Sequence, residues 1–366
     1  MKVLLISDSS LEGGVGSFEL NILNNINKDI HVEILSLGKC IIKDKRIHYI
    51  DIKRNNLFNK LKYNKYVKGF LKKNKYDVIH INSSAFFYSF CIVRIAKKCN
   101  INKVVVHSHS NPHINILKRI IISLIRPLYM KYVDVCLSVS KQANKSLFSD
   151  FNDNIKILSN GIDINKYKYN KSNRYEVRKK YNIDNKCVYS NIARISDEKN
   201  FDYLIDLFNE IHKLNPKSIL LIIGDGPLRE RIIEKIKLMN LEDSIILLGY
   251  KLNVDYLLSA IDVLIVPSKR EGFGLSCLEA TVNGAKVFAS DVLDKKLIRK
   301  LGIKTFSLNE DKIKVAKKII NDKTKIKRET VYKSFYDTEY DINYMCSVLE
   351  EIYNKYGSDY DDIWHH

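Results

Sequence analysis

Lys2–Ser7 (KVLLIS) is a short apolar run bounded by polar turn residues, a pattern that predicts a buried β-strand. Asp8–Gly16 follows with three glycines, then an amphipathic stretch over Phe18–Ile26 and a second apolar run over His31–Leu37. The order is strand, glycine loop, helix, strand. Val78–Ile81, Val104–His107 and Val135–Val139 extend the series as strands, and a helix begins near Lys141. Strands alternating with helices imply a parallel sheet covered on both faces.

Lys166–Lys186 is polar and tyrosine-rich and reads as a connection. A second alternating series then begins, with strands at Val188–Ile192, Ile219–Ile223, Ile245–Leu247, Val263–Val266 and Lys286–Ala289. An amphipathic helix over Glu339–Tyr356 closes the chain. The expected fold is therefore α/β, two Rossmann-like doubly wound domains over 1–165 and 166–340, with a C-terminal helix and tail over 341–366. A length of 366 residues agrees, since one domain takes roughly 150. Ligands of open α/β sheets bind beyond the carboxyl ends of the strands, so a cleft between two facing domains is the expected site.

Composition adds a formal charge of +19. Such a charge fits nucleic acid, an anionic membrane surface, phosphorylated ligands, or a lysine-rich composition with solvated side chains. Zinc-finger spacing and ribonucleoprotein-type aromatic motifs are both missing from the sequence, which argues against nucleic acid. Basic residues concentrate in 43–75 and 117–131. Residues 114–131 form a basic amphipathic pattern that suits either packing on the sheet or lying on an anionic bilayer, with Lys60–Lys75 adding to that face. The apolar start is too short for a signal peptide, and no run approaches the ~20 residues of a membrane span, which predicts a cytoplasmic protein, peripheral at most. Seven scattered cysteines without a Cys-x-x-Cys pair read as reduced thiols, and no zinc site is expected.

The most informative run is Pro267–Ala280 (PSKREGFGLSCLEA), which follows a predicted strand and opens a helix. Gly272 and Gly274 permit close backbone approach, and the first-turn amides carry partial positive charge suited to a diphosphate. Glu279, over a turn into the helix, leans back toward that turn and is placed to accept hydrogen bonds from a ribose. Glu271, in the loop, is placed to accept them from sugar hydroxyls.

Glu271 to Glu279 resembles the Glu-x7-Glu pattern of retaining glycosyltransferases of family 4, enzymes of the two-domain GT-B fold. The resemblance runs over nearly the whole chain. It includes Gly13–Gly14–Val15–Gly16, Asp77–Val78–Ile79–His80, Ser159–Asn160–Gly161–Ile162–Asp163, Arg194 to Lys199, Gly224–Asp225–Gly226–Pro227 and Ser290–Asp291. It implies transfer of a glycosyl group from a nucleotide diphosphate sugar, with UDP expected over GDP, and retention at the anomeric carbon. It also implies a C-terminal helix crossing back to the first domain.

Carried over residue by residue, the resemblance assigns Arg194 and Lys199 to the donor diphosphate and Glu279 to the ribose. Glu271, Gly272 and the amides of Phe273, Gly274 and Leu275 would hold sugar and phosphates. Tyr250, in Gly249–Tyr250–Lys251, would line the base pocket, and Gly14 would approach the phosphates. His107–Ser108–His109 resembles the histidine turn of capsular and exopolysaccharide transferases, which makes His109 the active-site histidine beside the sugar. The favoured chemistry is front-face attack with Glu271 as a stabiliser, which the residues alone do not separate from double displacement. No metal or cofactor is implied, since the one Asp-x-Asp, Asp359–Tyr360–Asp361, lies in the tail beside His365 and His366. The expected partners are a nucleotide sugar, a glycan or polyprenyl-diphosphate-linked acceptor, and an anionic inner-membrane surface.

Lys286, Ala193 and a segment 292–298 without glutamate depart from the family pattern, and the last leaves the donor sugar open. Three other readings stay open at this point: a non-catalytic homologue that binds or stabilises a partner, a sugar-nucleotide epimerase on the same fold, and a nucleic-acid binder suggested by charge alone.

Overall fold

A computed structural model of the chain describes residues 1–8, 11, 13–38, 42–52, 56–109, 115–148 and 155–355. The chain forms two compact units, one of Met1–Gly161 with the segment from Asp337 onward, the other of Ile162–Tyr336. Cys40, Asp359–Tyr360–Asp361, His365 and His366 lie outside the described residues.

The first unit runs β1 (Lys2–Ser7), α1 (Gly14–Asn25), β2 (His31–Leu37), β3 (Ile47–Ile50), α2 (Leu57–Lys73), β4 (Val78–Ser83), α3 (Phe86–Lys98), β5 (Lys103–Ser108), α4 (Ile116–Met130), β6 (Val135–Ser138), α5 (Lys141–Leu147) and β7 (Ile155–Ile157). Its strands form one parallel sheet in the order β3-β2-β1-β4-β5-β6-β7. Alternation along each strand divides the core in two. Val3, Leu5, Val32, Ile34, Val78 and Val105 face α1, whereas Leu4, Ile6, Leu35, Ile79, Val104 and Val106 face α2, α3 and α4.

The second unit runs α6 (Ile164–Tyr167), α7 (Lys171–Lys180), β8 (Cys187–Ile192), α8 (Phe201–Leu214), β9 (Ser218–Ile223), α9 (Arg229–Leu238), β10 (Ile245–Gly249), α10 (Val254–Leu258), β11 (Val263–Val266), α11 (Leu275–Asn283), β12 (Lys286–Ser290), α12 (Lys295–Leu301), β13 (Lys304–Phe306) and α13 (Lys312–Ile320). Its sheet is also parallel, in the order β10-β9-β8-β11-β12-β13. The strand order reverses between β1 and β4 in one sheet and between β8 and β11 in the other. Those are the switch points where an open α/β sheet holds its ligands.

The last helix, α14 (Ile342–Asn354), belongs to the first unit. Met345, Cys346, Val348, Leu349, Ile352 and Tyr353 complete the core on the α1 side. Lys103 at the start of β5 donates to the carbonyls of Ile352 (2.7 Å), Tyr353 (3.0 Å) and Lys355, closing the helix end with a cation, where the helix dipole favours one. The Tyr353 hydroxyl meets His80 Nδ1 at 2.7 Å. Gly161 lets the helix sit close, because a Cβ there would fall 2.8 Å from the Asp341 carbonyl and 2.9 Å from Met345 Cβ.

Aspartates that precede strands pin their neighbours. Asp77 accepts from the Lys2 amide at 2.7 Å, Asp134 from that of Val104 at 2.7 Å and Asp262 from that of Val188 at 2.9 Å. This accounts for the Asp in Asp77–Val78–Ile79–His80 as register, independent of ligand. Two features differ from the sequence expectation. Lys166–Lys186 is more than a connection: it contains α7, whose buried Arg178 donates to the carbonyls of Ala260, Asp184 and Lys186 and to Asp262, so a polar helix is built into the core by full hydrogen bonding. The outer strands β3, β7 and β13 are three or four residues each, too short for an apolar period to announce them.

Candidate active site

At the switch point of the second sheet, the loops after β8 and β11 are tied together. The Lys269 amide donates to the Glu198 carbonyl at 2.8 Å, Lys269 pairs with Asp197 at 2.8 Å, and Arg270 pairs with Glu198 at 3.2 Å. Between these ties, Lys199 Nζ meets Glu271 Oε2 at 2.6 Å. The Ser268 hydroxyl donates to the same oxygen at 3.1 Å. Burial opposes the charge of Lys199, but Glu271 outweighs it through charge and hydrogen bond and holds the ammonium above its ordinary pKa. Glu271 Oε1 receives no hydrogen bond from a described residue.

Gly274 sits at φ +88° immediately before α11, where a Cβ would fall 2.8 Å from Leu293. Glycine is thus required for the turn that aims the first amides of α11, and no side chain caps them. Phe273 beside it is buried. Arg194 is exposed on the β8 loop and makes no hydrogen bond or ion pair to a described residue. Its loop lies flush on Gly224–Asp225–Gly226. A Cβ on Gly224 would stand 1.9 Å from the Ala193 carbonyl, and one on Gly226 would stand 2.4 Å from that of Ile195.

Beside this loop, beyond β9 and β10, an open pocket of about 480 Å³ is lined by Asp225, Gly226, Pro227, Arg229, Leu247 and Gly249, among others. Tyr250, next in sequence, is 38% exposed. One turn further along α11, Glu279 is buried beside the Tyr167 hydroxyl, which hydrogen bonds to it. Burial pushes the Glu279 carboxyl up to about 7, against the pull of Tyr167 and Lys166.

The first unit holds a second polar cluster, at the carboxyl ends of β1, β4 and β5. His109 is buried just past β5, with Phe18 at 4.8 Å and His107 at 4.4 Å between ring centroids. Its Nε2 lies 3.1 Å from Asn82 Oδ1, and Asn82 Nδ2 donates to Glu19 Oε1 at 2.9 Å. Burial, reinforced by His107 and His80, keeps His109 well below its ordinary pKa and therefore neutral. Its single N–H is the one on Nε2, because the Asn82 amide is oriented by Glu19. Nδ1 is left with the lone pair. His107, by contrast, is fully buried and donates from Nε2 to the Leu158 carbonyl at 3.2 Å, a structural role. Gly14 opens α1 exposed, with open space where a Cβ would stand, whereas Gly16 is pressed against the Leu11 backbone at 2.3 Å.

Residues 13–166 match the family described as Glycosyltransferase Family 4, and residues 173–319 match Glycosyl transferases group 1. The two matches together span most of the chain, which belongs to the glycosyltransferases that these families describe. The putative glycosyltransferase EpsF of Bacillus subtilis (strain 168) is 25% identical over 333 residues, covering 88% of this chain and 84% of EpsF. The O-antigen biosynthesis glycosyltransferase WclY of Escherichia coli is 24% identical over 368 residues, covering 97% and 98%. The structure of Anabaena HepE in complex with UDP superposes with a TM-score of 0.76 at 18% identity over 96% of this chain and 99% of that one, a likeness of fold.

For this glycosyltransferase, the structure brings Lys199, Glu271, Gly274 and the start of α11 together in the second unit, with Arg194 and Glu279 on adjoining turns. His109 and Gly14 lie in the first unit. The sequence reading passed over Ser268, Tyr167, Asn82 and Glu19. Ser268 carried a faint signal, next to the Glu-x7-Glu run. Asn82 and Glu19 are single polar residues in apolar stretches and Tyr167 is one of several tyrosines in a polar one; all three are distant from the motifs they join, and no local spacing announces them.

Proposed function

We propose that this glycosyltransferase moves a sugar from a nucleotide diphosphate sugar, with UDP as the nucleotide, to a glycan or lipid-linked acceptor in surface polysaccharide synthesis, with retention of configuration. The observation that carries the reading is the Lys199–Glu271 pair at 2.6 Å beside the uncapped start of α11, on the switch point of the second sheet. The UDP held by HepE and the O-antigen role named for WclY support the nucleotide and the class of product.

As the bond between the anomeric carbon and the diphosphate oxygen breaks, negative charge grows on the leaving phosphate. Arg194, Lys199 and the α11 amides stabilise that charge as fixed partners. The acceptor hydroxyl oxygen bonds to the anomeric carbon on the same face, and its proton passes to the departing phosphate oxygen. Glu271 keeps Oε2 on Lys199 and offers Oε1 to the sugar hydroxyls. Glu279 takes the ribose, Tyr250 and the pocket beyond β10 take the base, and Gly14 and His109 serve the phosphates and sugar by family pattern. The reading assigns no metal or cofactor and places the protein in the cytoplasm.

Lys199→Ala and Glu271→Ala should each lower turnover of a UDP-sugar by about 10²–10³, with the far-UV circular dichroism of the parent. Wild-type turnover in either folded variant would remove that pair from the chemistry. The anomeric configuration of the product, read by NMR, decides between retention and inversion.

A further inference from the structure

Between Asp51 and Asp134 the chain carries 17 lysines and arginines and one acidic residue, Asp77. This stretch builds α2, α3 and α4, which cover one face of the first sheet with α3 in the middle. All three helices follow strands of a parallel sheet, β3, β4 and β5, so all three begin at its carboxyl edge. At that edge they expose apolar side chains. Leu57 and Phe58 of α2 are 72% and 73% exposed, and Phe87 of α3 is 42% exposed.

Helix α4 is the extreme case. Of its fifteen residues only Ile122 and Tyr129 are buried. Ile116, Leu117, Ile120, Ile121, Leu124 and Leu128 are exposed, with Ile116 and Leu124 both at 76%. Lys118 and Arg119 stand exposed among them. An apolar patch that starts at this edge and runs the length of α4 marks an interaction surface rather than scattered surface leucines.

We propose that this rim docks on an anionic lipid surface, inserting the exposed side chains of α4 and the first turns of α2 while their lysines and arginines meet the headgroups. The charge selects the occupant. A second copy of the chain would set one basic face against another, whereas anionic headgroups neutralise it. Helix α4 has the composition of an interfacial helix, with Leu and Ile beside Lys and Arg and no acid. No helix among the described residues is long and apolar enough to cross a membrane, so the contact is peripheral. Docking in this way turns the carboxyl edge that carries His109 toward the bilayer. Delivery of a lipid-anchored acceptor to that edge rests on the proposed function; the docking itself does not.

The test is flotation of the full chain with vesicles of phosphatidylcholine alone or mixed with phosphatidylglycerol, at low and high salt. Binding is expected to mixed vesicles only and to weaken with salt. The pairs Ile120→Glu with Leu124→Glu and Lys118→Glu with Arg119→Glu should each reduce it by at least about tenfold. Leu238→Glu, more exposed still but in the second unit, should leave binding unchanged, and circular dichroism and UDP-sugar turnover on a soluble acceptor should be unchanged in all three. Failure of the parent to bind either vesicle, or equal binding by the α4 variants, would overturn the proposal without touching the donor site. So would a dimer by light scattering that Ile120→Glu with Leu124→Glu dissolves, which would give the face to a second copy.

Discussion

Glu19 is the residue on which the first unit's polar cluster turns. It is completely buried, it orients Asn82, and Asn82 fixes which nitrogen of His109 carries the proton. Burial pushes its carboxyl from 4.5 up to about 8, against the hydrogen bonds of Asn82 and Ser7. The folded chain therefore holds a proton that the unfolded chain has released between those two values. With more protons bound in the folded state, stability falls as pH rises through that window, by up to ~1.4 kcal/mol per unit for this one group. Glu19→Gln should remove that slope and leave the variant less pH-sensitive than the parent. Urea unfolding followed across the window checks it; a parent and a variant that lose stability in parallel would exclude a protonated Glu19.

At the scale of elements, glycines where helices and loops begin set how closely backbone can pack. Gly13–Gly14–Val15–Gly16, the N-cap and first turn of α1, shows how unequal neighbouring glycines are. Gly16 has the Leu11 backbone 2.3 Å from where a Cβ would stand, and Gly14 has nothing within 4 Å. Gly16→Ala should cost about 2 kcal/mol or more, because backbone must move, whereas Gly14→Ala should stay within ~0.5 kcal/mol. Thermal unfolding of the two variants separates them. If Gly14→Ala keeps stability yet loses turnover, the family role of Gly14 gains support. The same logic explains Gly224 and Gly226, whose contacts with Ala193 and Ile195 seat the loop of Arg194.

The whole molecule is two cores joined in a discontinuous way, because the first unit is finished by a helix from the far end of the chain. Leu349 of α14 is fully buried in that core. Leu349→Ala should cost roughly 2–5 kcal/mol and lower the unfolding transition of the first unit. UDP, on the proposed function, should raise the transition of the second, since a ligand that binds only the folded state stabilises it. Calorimetry of parent and variant with and without UDP reads both effects. A single transition moved equally by mutation and nucleotide would mean the two cores unfold as one.

Much of this architecture was legible along the chain. The central strands β1, β4, β5, β8, β9 and β11 are short apolar runs flanked by turn residues, so the runs themselves located them, and the alternation of strands with helices implied parallel sheets. Glu271, Gly274 and Glu279 were legible because one turn and one helix bring them together, within nine residues. What lay beyond reach depended on distance in sequence. Lys199 and Glu271 are 72 residues apart, and Glu19 and Asn82 are 63 apart. Only the sheet order, which sets β8 beside β11 and β1 beside β4, makes them neighbours. The outer strands and α7 were likewise decided by partners, since a three-residue strand or a polar helix gains its stability from what it packs on. The residue types and turns were written locally; the pairings, the burial of Glu19 and the exposed rim of α4 came from the tertiary fold, because burial and exposure belong to surfaces that no stretch of sequence contains by itself.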